Sequence, residues 1–352
     1  MKTYTLDHPW MDKEFYTTGS YLSVDGGASV LFCKGGVVKT SNAISELNDT
    51  TYVKKFFSDE YLVHVAREKL ILSLTEVQDR IKSNWTEIDL IKTESNQDQV
   101  FQADFESLKK VISKTLSKAV LLSREEYSSP DAEVLKKNIV AKSFLLNYGR
   151  PYGFWSGQMG IVGCTPETLF EIEGDMISSE ALAGTAKVGF EKELLASVKD
   201  RSEHEFVIQD ISEKLASLGL DVFRGETVTS PFAQIIHLRT PIKALMKKGI
   251  GALDISLKLS PTAALGGYPT AVAMDFLKDM NYSKTFPDRI FGSVIGNNST
   301  HSAVGLVMIR NFQWTGKTFI IESGVGVVEA SEMSKELSEL KMKREAVRNI
   351  FL

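Results

Sequence analysis

The sequence predicts a mixed fold of helices and strands, α/β or α+β, in one large or two ordinary domains. Three observations carry that expectation. Short β-branched runs recur along the chain between segments whose apolar residues repeat every three or four positions, so both periods are present. Few of these segments form strict strand–helix–strand units, which leaves the class open between α/β and α+β. The 352 residues, 43% apolar and 24% charged, are globular in composition and numerous enough to bury a large core.

Composition also excludes. A net charge of −4 argues against nucleic acid as the main partner. Cys33 and Cys164 are the only cysteines and stand far apart, so neither a disulfide framework nor a structural zinc site is expected. The first residues lack an apolar core of signal-peptide type, and no apolar run approaches the ~18 residues of a membrane span. A cytoplasmic protein with no membrane contact is the expectation.

In chain order, the first 95 residues carry no motif. β-like runs at 29–33 and 37–38, separated by Gly26-Gly27 and Gly35-Gly36, read as hairpins. An amphipathic helix is expected over 59–82, and the polar stretch 83–96 reads as loop. Phe105, Leu108, Val111, Ile112 and Leu116 fall at helical spacing, so the pattern predicts a helix over 105–116 capped by Asp104. A strand follows at 119–124. Ser129-Pro130 then opens a helix, with serine as cap and proline in the first turn. β-like segments are expected at 143–148, 159–164 and 168–172.

Chemistry gathers in the second half. Thr165-Pro166-Glu167 places an acid on a turn between two buried strands, read either as a surface glutamate or as a functional one. The segment Ser179 to Ala186 ends in Gly184-Thr185, where the lack of bulk lets a ligand sit against the backbone. Glu203 heads an apolar helical stripe of Val207, Ile211 and Leu215. It is either a first-turn partner of the helix dipole or an acid aimed inward that needs a cation. Last, the β-branched run 318–321 empties into Gly324 and Gly326, and a helix then carries Glu336, Glu339 and Lys343. Glycines let amides approach an anion, and acids three residues apart share one helix side and can offer oxygens to a hard cation. Lys343 one turn on is also an ordinary helix ion pair for Glu339.

These segments stand in a recognisable order: Thr165-Pro-Glu-Thr-Leu-Phe170, Glu180-Ala-Leu-Ala-Gly-Thr185, Asp200-Arg-Ser-Glu-His-Glu205, His237-Leu238, Ser260-Pro-Thr-Ala-Ala-Leu-Gly-Gly-Tyr-Pro269, Met308-Ile-Arg310 and the terminal glycine–acid segment. On them the chain resembles the chorismate-utilising family that includes isochorismate synthase, salicylate synthase, anthranilate synthase component I and aminodeoxychorismate synthase. The wording of the second and fifth segments is most similar to menaquinone-type isochorismate synthases. The resemblance runs from about residue 105 to the end, so residues 96–352 are expected to form the chorismate-binding catalytic region and 1–95 a variable N-terminal part of the same fold.

The resemblance implies an α+β fold of two large, mostly antiparallel sheets packed as a sandwich with helices outside, as in anthranilate synthase component I. It implies an isomerase that converts chorismate to isochorismate with Mg²⁺, in menaquinone or siderophore biosynthesis. Glu167 matches the acid that protonates the departing hydroxyl. Glu203 and Glu339, with Glu336 beside them, match the metal ligands. Gly184, Thr185, His237, Ser260, Arg310, Gly324, Gly326 and Lys343 fall at substrate-binding positions. No glutaminase nucleophile segment is present and no glutaminase subunit is implied; a monomer or weak homodimer is expected.

Three positions depart from the family. Ala119 aligns with the lysine that activates water, and Lys118 is adjacent; Lys118 takes that role if the strand carries one extra residue in a bulge. Ser260 replaces a histidine. Val304 stands where an acid usually precedes the Ile-Arg pair, which removes a contact expected around the metal. Three readings therefore stay open: an isochorismate synthase, a relative that aminates chorismate or eliminates pyruvate, and a chorismate-binding protein with little turnover.

Overall fold

The structure is a computed structural model that describes residues 2–42, 49–86, 88–93, 97–299 and 302–352. Among these residues two ten-stranded sheets dominate, each a path of nine strands with a tenth paired off it, Ile91–Thr93 on Lys118–Ser128 in the first and Val228–Phe232 on Ile235–Leu245 in the second, and every ladder in them is antiparallel. The fold is α+β. The first sheet runs, edge to edge, through Gly267–Tyr268, Lys118–Ser128, Thr318–Val327, Asn311–Thr315, Met159–Thr165, Arg150–Ser156, Thr18–Val24, Ser29–Lys34 and Glu68–Ser73. Along the second lie Val222–Arg224, Ile235–Leu245, Met176–Lys187, Thr168–Glu173, Ser302–Val307, Val294–Asn298, Thr51–Lys54, Tyr61–Val65 and Val37–Ser41. Strands from the first 95 residues thus complete both sheets.

Alternation along each strand builds the layers. Leu22, Leu31 and Phe154 of the first sheet meet Val53, Ile295 and Leu306 of the second in a shared core between the sheets. On the outer face of the first sheet, Trp155, Phe312 and Trp314 are covered by helices Ala132–Lys142 and Met333–Phe351 through Leu135, Ile139, Val347 and Phe351. Helix Val198–Ser217 lies on the second sheet through Val207, Ile211 and Leu215, the apolar stripe that Glu203 heads. Among the described residues no helix is long and apolar enough to cross a membrane.

Several local expectations are corrected. Residues 59–82 form two strands, Tyr61–Val65 and Glu68–Ser73, and the short helix Leu74–Asp79, then enter the strand Ile81–Trp85. The apolar spacing there is that of strands buried on one face, which a short window cannot tell from a helix. The stretch 83–96 is not all loop, since it holds the end of that strand and Ile91–Thr93; residues 87 and 94–96 lie outside the described residues. The helix expected over 105–116 is Gln97–Lys109. Asp104 sits inside it and caps a different helix: its carboxylate accepts from the amides of Asn281 and Tyr282, which open Asn281–Thr285. Residues 143–148 make no strand, and the hydrophobic Phe144 there is a core plug; the strand is Arg150–Ser156. Strand 318–321 does not end before the glycines but continues through both to Val327, because Gly324 and Gly326 pair with Leu122 and Val120.

Candidate active site

The site is built at the junction of the first sheet with two helices. Lys118 opens its strand, and its side chain shares a face with Val120 and Leu122, which turn toward the second sheet and the Val198–Ser217 helix. Ala119 faces the other way, into a cluster of Phe101, Leu108, Val325 and Leu340. The ladder from Ala119–Val327 to Ser128–Thr318 keeps one register throughout, so no bulge is needed or present there. Lys118 reaches the site by ordinary strand alternation. It is 1% exposed, and its Nζ lies 3.1 Å from Oε1 of Glu203.

Gly326 makes that contact possible. A Cβ at this position would fall 2.1 Å from Glu203 Oε1 and 2.5 Å from Lys118 Cε. Gly324 needs its bareness too, since a Cβ would meet Leu122 at 2.8 Å and Val120 at 3.0 Å. The Gly324 carbonyl accepts from Lys343 Nζ at 2.7 Å, so its peptide groups point away from the Lys118 strand. By the two-residue period Gly326 presents its amide on the same side.

Four carboxyl groups converge around a second lysine. Nζ of Lys199 lies 3.1 Å from Glu336 Oε1, 3.6 Å from Glu203 Oε2 and 3.8 Å from Asp200 Oδ1. Glu339, one helical turn beyond Glu336, pairs with Lys343 at 2.7 Å. Burial opposes its charge, but Lys343 and Lys199 outweigh burial and hold its carboxyl below the usual range. Glu336 is 1% exposed and is shifted the other way by burial; its Oε2 has no hydrogen-bond partner. Among the described residues no three donors are arranged to hold a metal ion as they stand. The donors are nonetheless all oxygens, gathered from two helices about one cationic group, with one oxygen left over. That set suits a hard divalent ion, whose bonds of about 2.0–2.1 Å require the acids to draw closer than they stand around an ammonium.

Facing this cluster is a buried polar chain. The strand Met176–Lys187 carries one extra residue against Ile235–Leu245, between Ala183–Leu238 and Ala186–Ile236. This bulge falls at Gly184-Thr185, and Gly184 takes φ +70°, where glycine is favoured. The bulge turns the Gly184 carbonyl onto Nδ1 of His237 at 2.9 Å. His237 is thus the Nδ1–H tautomer, and its Nε2 accepts from Arg310 Nη2 at 3.0 Å. Burial and then Arg310 push the imidazole down to about 3, so it stays neutral. The Thr185 hydroxyl is 3.2 Å from the same Nδ1, and it adds a small downward pull on the Glu339 carboxyl. Arg310 holds φ +56°, is buried, and its Nε has no partner. Burial lowers it to about 10, which still leaves it charged at neutral pH. Among the described residues it makes no ion pair closer than 4 Å with a carboxylate.

Glu167 lies on the turn between Met159–Thr165 and Thr168–Glu173, where its amide donates to Thr165 Oγ1 at 3.1 Å. It is buried, not a surface turn residue. Burial first, and Glu180 second, push its carboxyl up to about 8 against the opposing charges of Lys118, Arg310 and Lys343. Glu180 is fixed beside it by Thr168 N–H at 3.0 Å and by the Arg239 guanidinium. A carboxyl that stays protonated at neutral pH among cations is fit to give a proton.

Two expectations fall outside this constellation. Ser260 ends helix Ala252–Leu259 and its buried hydroxyl has no partner; no hydrogen bond ties it to the other groups. Val304 is packed with Leu22, Val53 and Ile295 between the sheets, so an acid there would be in hydrocarbon and not beside the acid cluster. Lys199, Glu180 and His204 were not singled out from sequence. Lys199 carried a signal, its i,i+4 spacing from Glu203. His204 carried none: it is buried, with Nε2 2.7 Å from Thr240 Oγ1 and Nδ1 unpartnered, and burial pushes it down to about 4. A cavity of about 880 Å³ between the sheets, lined by Arg124, Phe154, Phe286, Arg289 and Glu322 among others, is separate and includes none of the acids or lysines of the site.

The chain is similar to known proteins in both sequence and fold. Isochorismate synthase MenF of Pasteurella multocida is 28% identical over 305 residues, covering 82% of this chain and 68% of that protein. Isochorismate synthase EntC of Escherichia coli is 29% identical over 203 residues, 54% of this chain and 51% of that one. The chain therefore spans only about half to two thirds of the length of these relatives. In fold it is similar to MenF, the menaquinone-specific isochorismate synthase from Escherichia coli, with a TM-score of 0.79 at 18% identity over 97% of this chain and 90% of that one. Anthranilate synthase component I from Streptococcus pneumoniae gives 0.68 at 12% identity over 98% and 92%. The model of the chorismate binding enzyme family matches residues 57–351, from the strands of the second sheet through the acid-bearing terminal helix, and on that match the chain belongs to this family.

Proposed function

We propose that the protein converts chorismate to isochorismate with Mg²⁺. The observation that carries this reading is Glu167, a buried carboxyl held protonated in a site that also contains the buried lysine Lys118 and the buried cation Arg310.

Chorismate is a ring with two carboxylates and a hydroxyl, and each has a counterpart. Arg310, charged and without a carboxylate within 4 Å among the described residues, suits the enolpyruvyl carboxylate in a bidentate contact, and the amides of Gly324 and Gly326 are further donors to that anion. The bulge at Gly184-Thr185 turns backbone and hydroxyl groups toward His237, beside the proposed place of the ring. Glu203, Glu336 and Glu339 would hold the metal ion, which when bound supplies positive charge for the ring carboxylate. Lys118 takes a proton from the water that adds to the ring. Glu167 gives its proton to the departing hydroxyl, which leaves as water, so one C–O bond forms, one breaks and the formula is unchanged. Hydroxide is a poor leaving group, and proton transfer of this kind contributes about 10²–10⁴-fold. The position of Lys118 favours this reading over a binding protein without a base.

Incubation with chorismate and Mg²⁺, with products resolved by chromatography, tests it. Isochorismate is expected. Salicylate with pyruvate, an aminated product only when ammonium is added, or bound chorismate without product would each replace this reading with another.

A further inference from the structure

Two lysines hold the same carboxylate, and they differ in one respect. Lys118 is enclosed, whereas the Lys199 side chain is 25% exposed and enters from the first turn of its helix, next to the exposed Val198. Lys118 therefore has no path to solvent, and Lys199 has solvent behind it. The Lys199 ammonium stands between Glu203 and Glu336 at 3.6 and 3.1 Å, with Asp200 at 3.8 Å. Its single charge serves acids from two helices, and Glu336 Oε2 is still left unpartnered. Without a cation at this point, buried like charges would face one another across the helix junction.

We propose that Lys199 is a tethered stand-in for the metal ion: its ammonium neutralises the acid cluster while the metal is away and must swing out to solvent before the metal is bound. The inference rests on the reading that Glu203, Glu336 and Glu339 form a divalent-ion site, and it goes beyond it by giving that site a built-in competitor. The competition weakens metal binding and protects the empty protein. An ammonium with oxygens 3.1–3.6 Å away also explains why the acids stand too far apart to grip an ion directly.

The test uses protein purified with Mg²⁺ and titrated with a chelator, with Mn²⁺ rebinding followed by electron paramagnetic resonance. In Lys199→Gln we expect metal to be held at least about tenfold more tightly than in the unsubstituted protein, and Lys199→Arg, which keeps the charge, to stay within about threefold. Melting in chelator should fall by several degrees in Lys199→Gln while melting in saturating Mg²⁺ is unchanged; a merely structural lysine would lower both. Equal or weaker metal binding by Lys199→Gln, or a loss of melting temperature in both conditions, overturns the proposal. Because loaded protein is the starting point, a Gln variant that unfolds when empty still reports its affinity. If the unsubstituted protein binds no Mn²⁺, or Glu203→Gln leaves binding intact, the metal-site reading itself has failed. Metal binding that is lost in Glu203→Gln but unaltered in Lys199→Gln sinks only the stand-in.

Discussion

Nζ of Lys118 stands 3.1 Å from Oε1 of Glu203, and the only residue that fits behind the pair is the glycine at 326. To turn its amine toward a water molecule in the site, Lys118 has to loosen this contact. The pair ties water activation to whatever else claims Glu203. In Lys118→Ala we expect kcat to fall by about 10²–10⁴-fold with chorismate affinity little altered. Steady-state kinetics beside direct binding checks it, and unimpaired turnover would remove Lys118 from the base role.

Gly326→Ala places a methyl group within 2.1 Å of Glu203 and 2.5 Å of Lys118. Neither side chain is free to retreat far, since both are buried. Activity should drop about 10²-fold, the scale of an ~1 Å displacement of a catalytic group, while stability falls by only about 1–3 kcal/mol. Comparing kcat/KM with urea denaturation separates the two effects.

Glu167 makes a pH-dependent prediction. Its folded carboxyl titrates near 8, well above an unfolded glutamate, so the folded protein binds this proton more tightly than the unfolded chain. Its stabilising contribution is complete below the unfolded value and is lost as pH rises through about 8. Turnover should fall over the same upper range as the acid is lost. Glu167→Gln should abolish turnover, retain chorismate binding and flatten the decline of stability between about pH 5 and 8. Melting curves and binding across that range are the measurements, and an unchanged rate would exclude Glu167 as the acid.

Arg310→Ala removes a buried cation that, among the described residues, has no carboxylate within 4 Å and an unpartnered Nε. Such a charge costs stability in the empty protein and returns it when an anion arrives. Chorismate binding should weaken by ~2 kcal/mol or more, about 30-fold, and the melting temperature of the unliganded protein should not fall in proportion. Calorimetric titration with chorismate decides.

Asp104→Ala tests the fold away from the chemistry. The carboxylate accepts from Asn281 N–H at 2.9 Å, Asn281 Nδ2 at 2.7 Å and Tyr282 N–H at 3.0 Å. Losing this cap should cost about 1–3 kcal/mol by chemical denaturation, with kcat/KM little changed.

Much of this was legible in sequence, for reasons that can be named. Glu203, Val207, Ile211 and Leu215 announce a helix face directly, and Glu336, Glu339 and Lys343 another, because a helix repeats on a scale shorter than these segments. The ordered segments around Glu167, Gly184 and Arg310 carried the two-sheet fold through resemblance. What was hidden depends on neighbours distant in the chain. Whether Lys118 or Ala119 faces the site is a question of strand face, settled by pairing with residues two hundred positions later. Asp104 reads as a local cap and serves a helix far away. Lys199 is visible as a neighbour of Glu203, but only the packing of the terminal helix brings Glu336 to it. In the N-terminal third, short strands such as Tyr61–Val65 and Glu68–Ser73 follow each other so closely that their combined spacing imitates a helix.

The surplus residue at Gly184-Thr185 leaves the two halves of its strand out of phase with their partner. Deleting one residue there would bring the ladder back into step and, by the sheet's own hydrogen-bond count, improve it. If Gly184 is the residue lost, Thr185 then lies straight across from His237 on the same face, but the carbonyl that fixes the imidazole tautomer is gone. The imperfect ladder is thus what holds the imidazole in place, and a repaired one would release the ring that now accepts from Arg310.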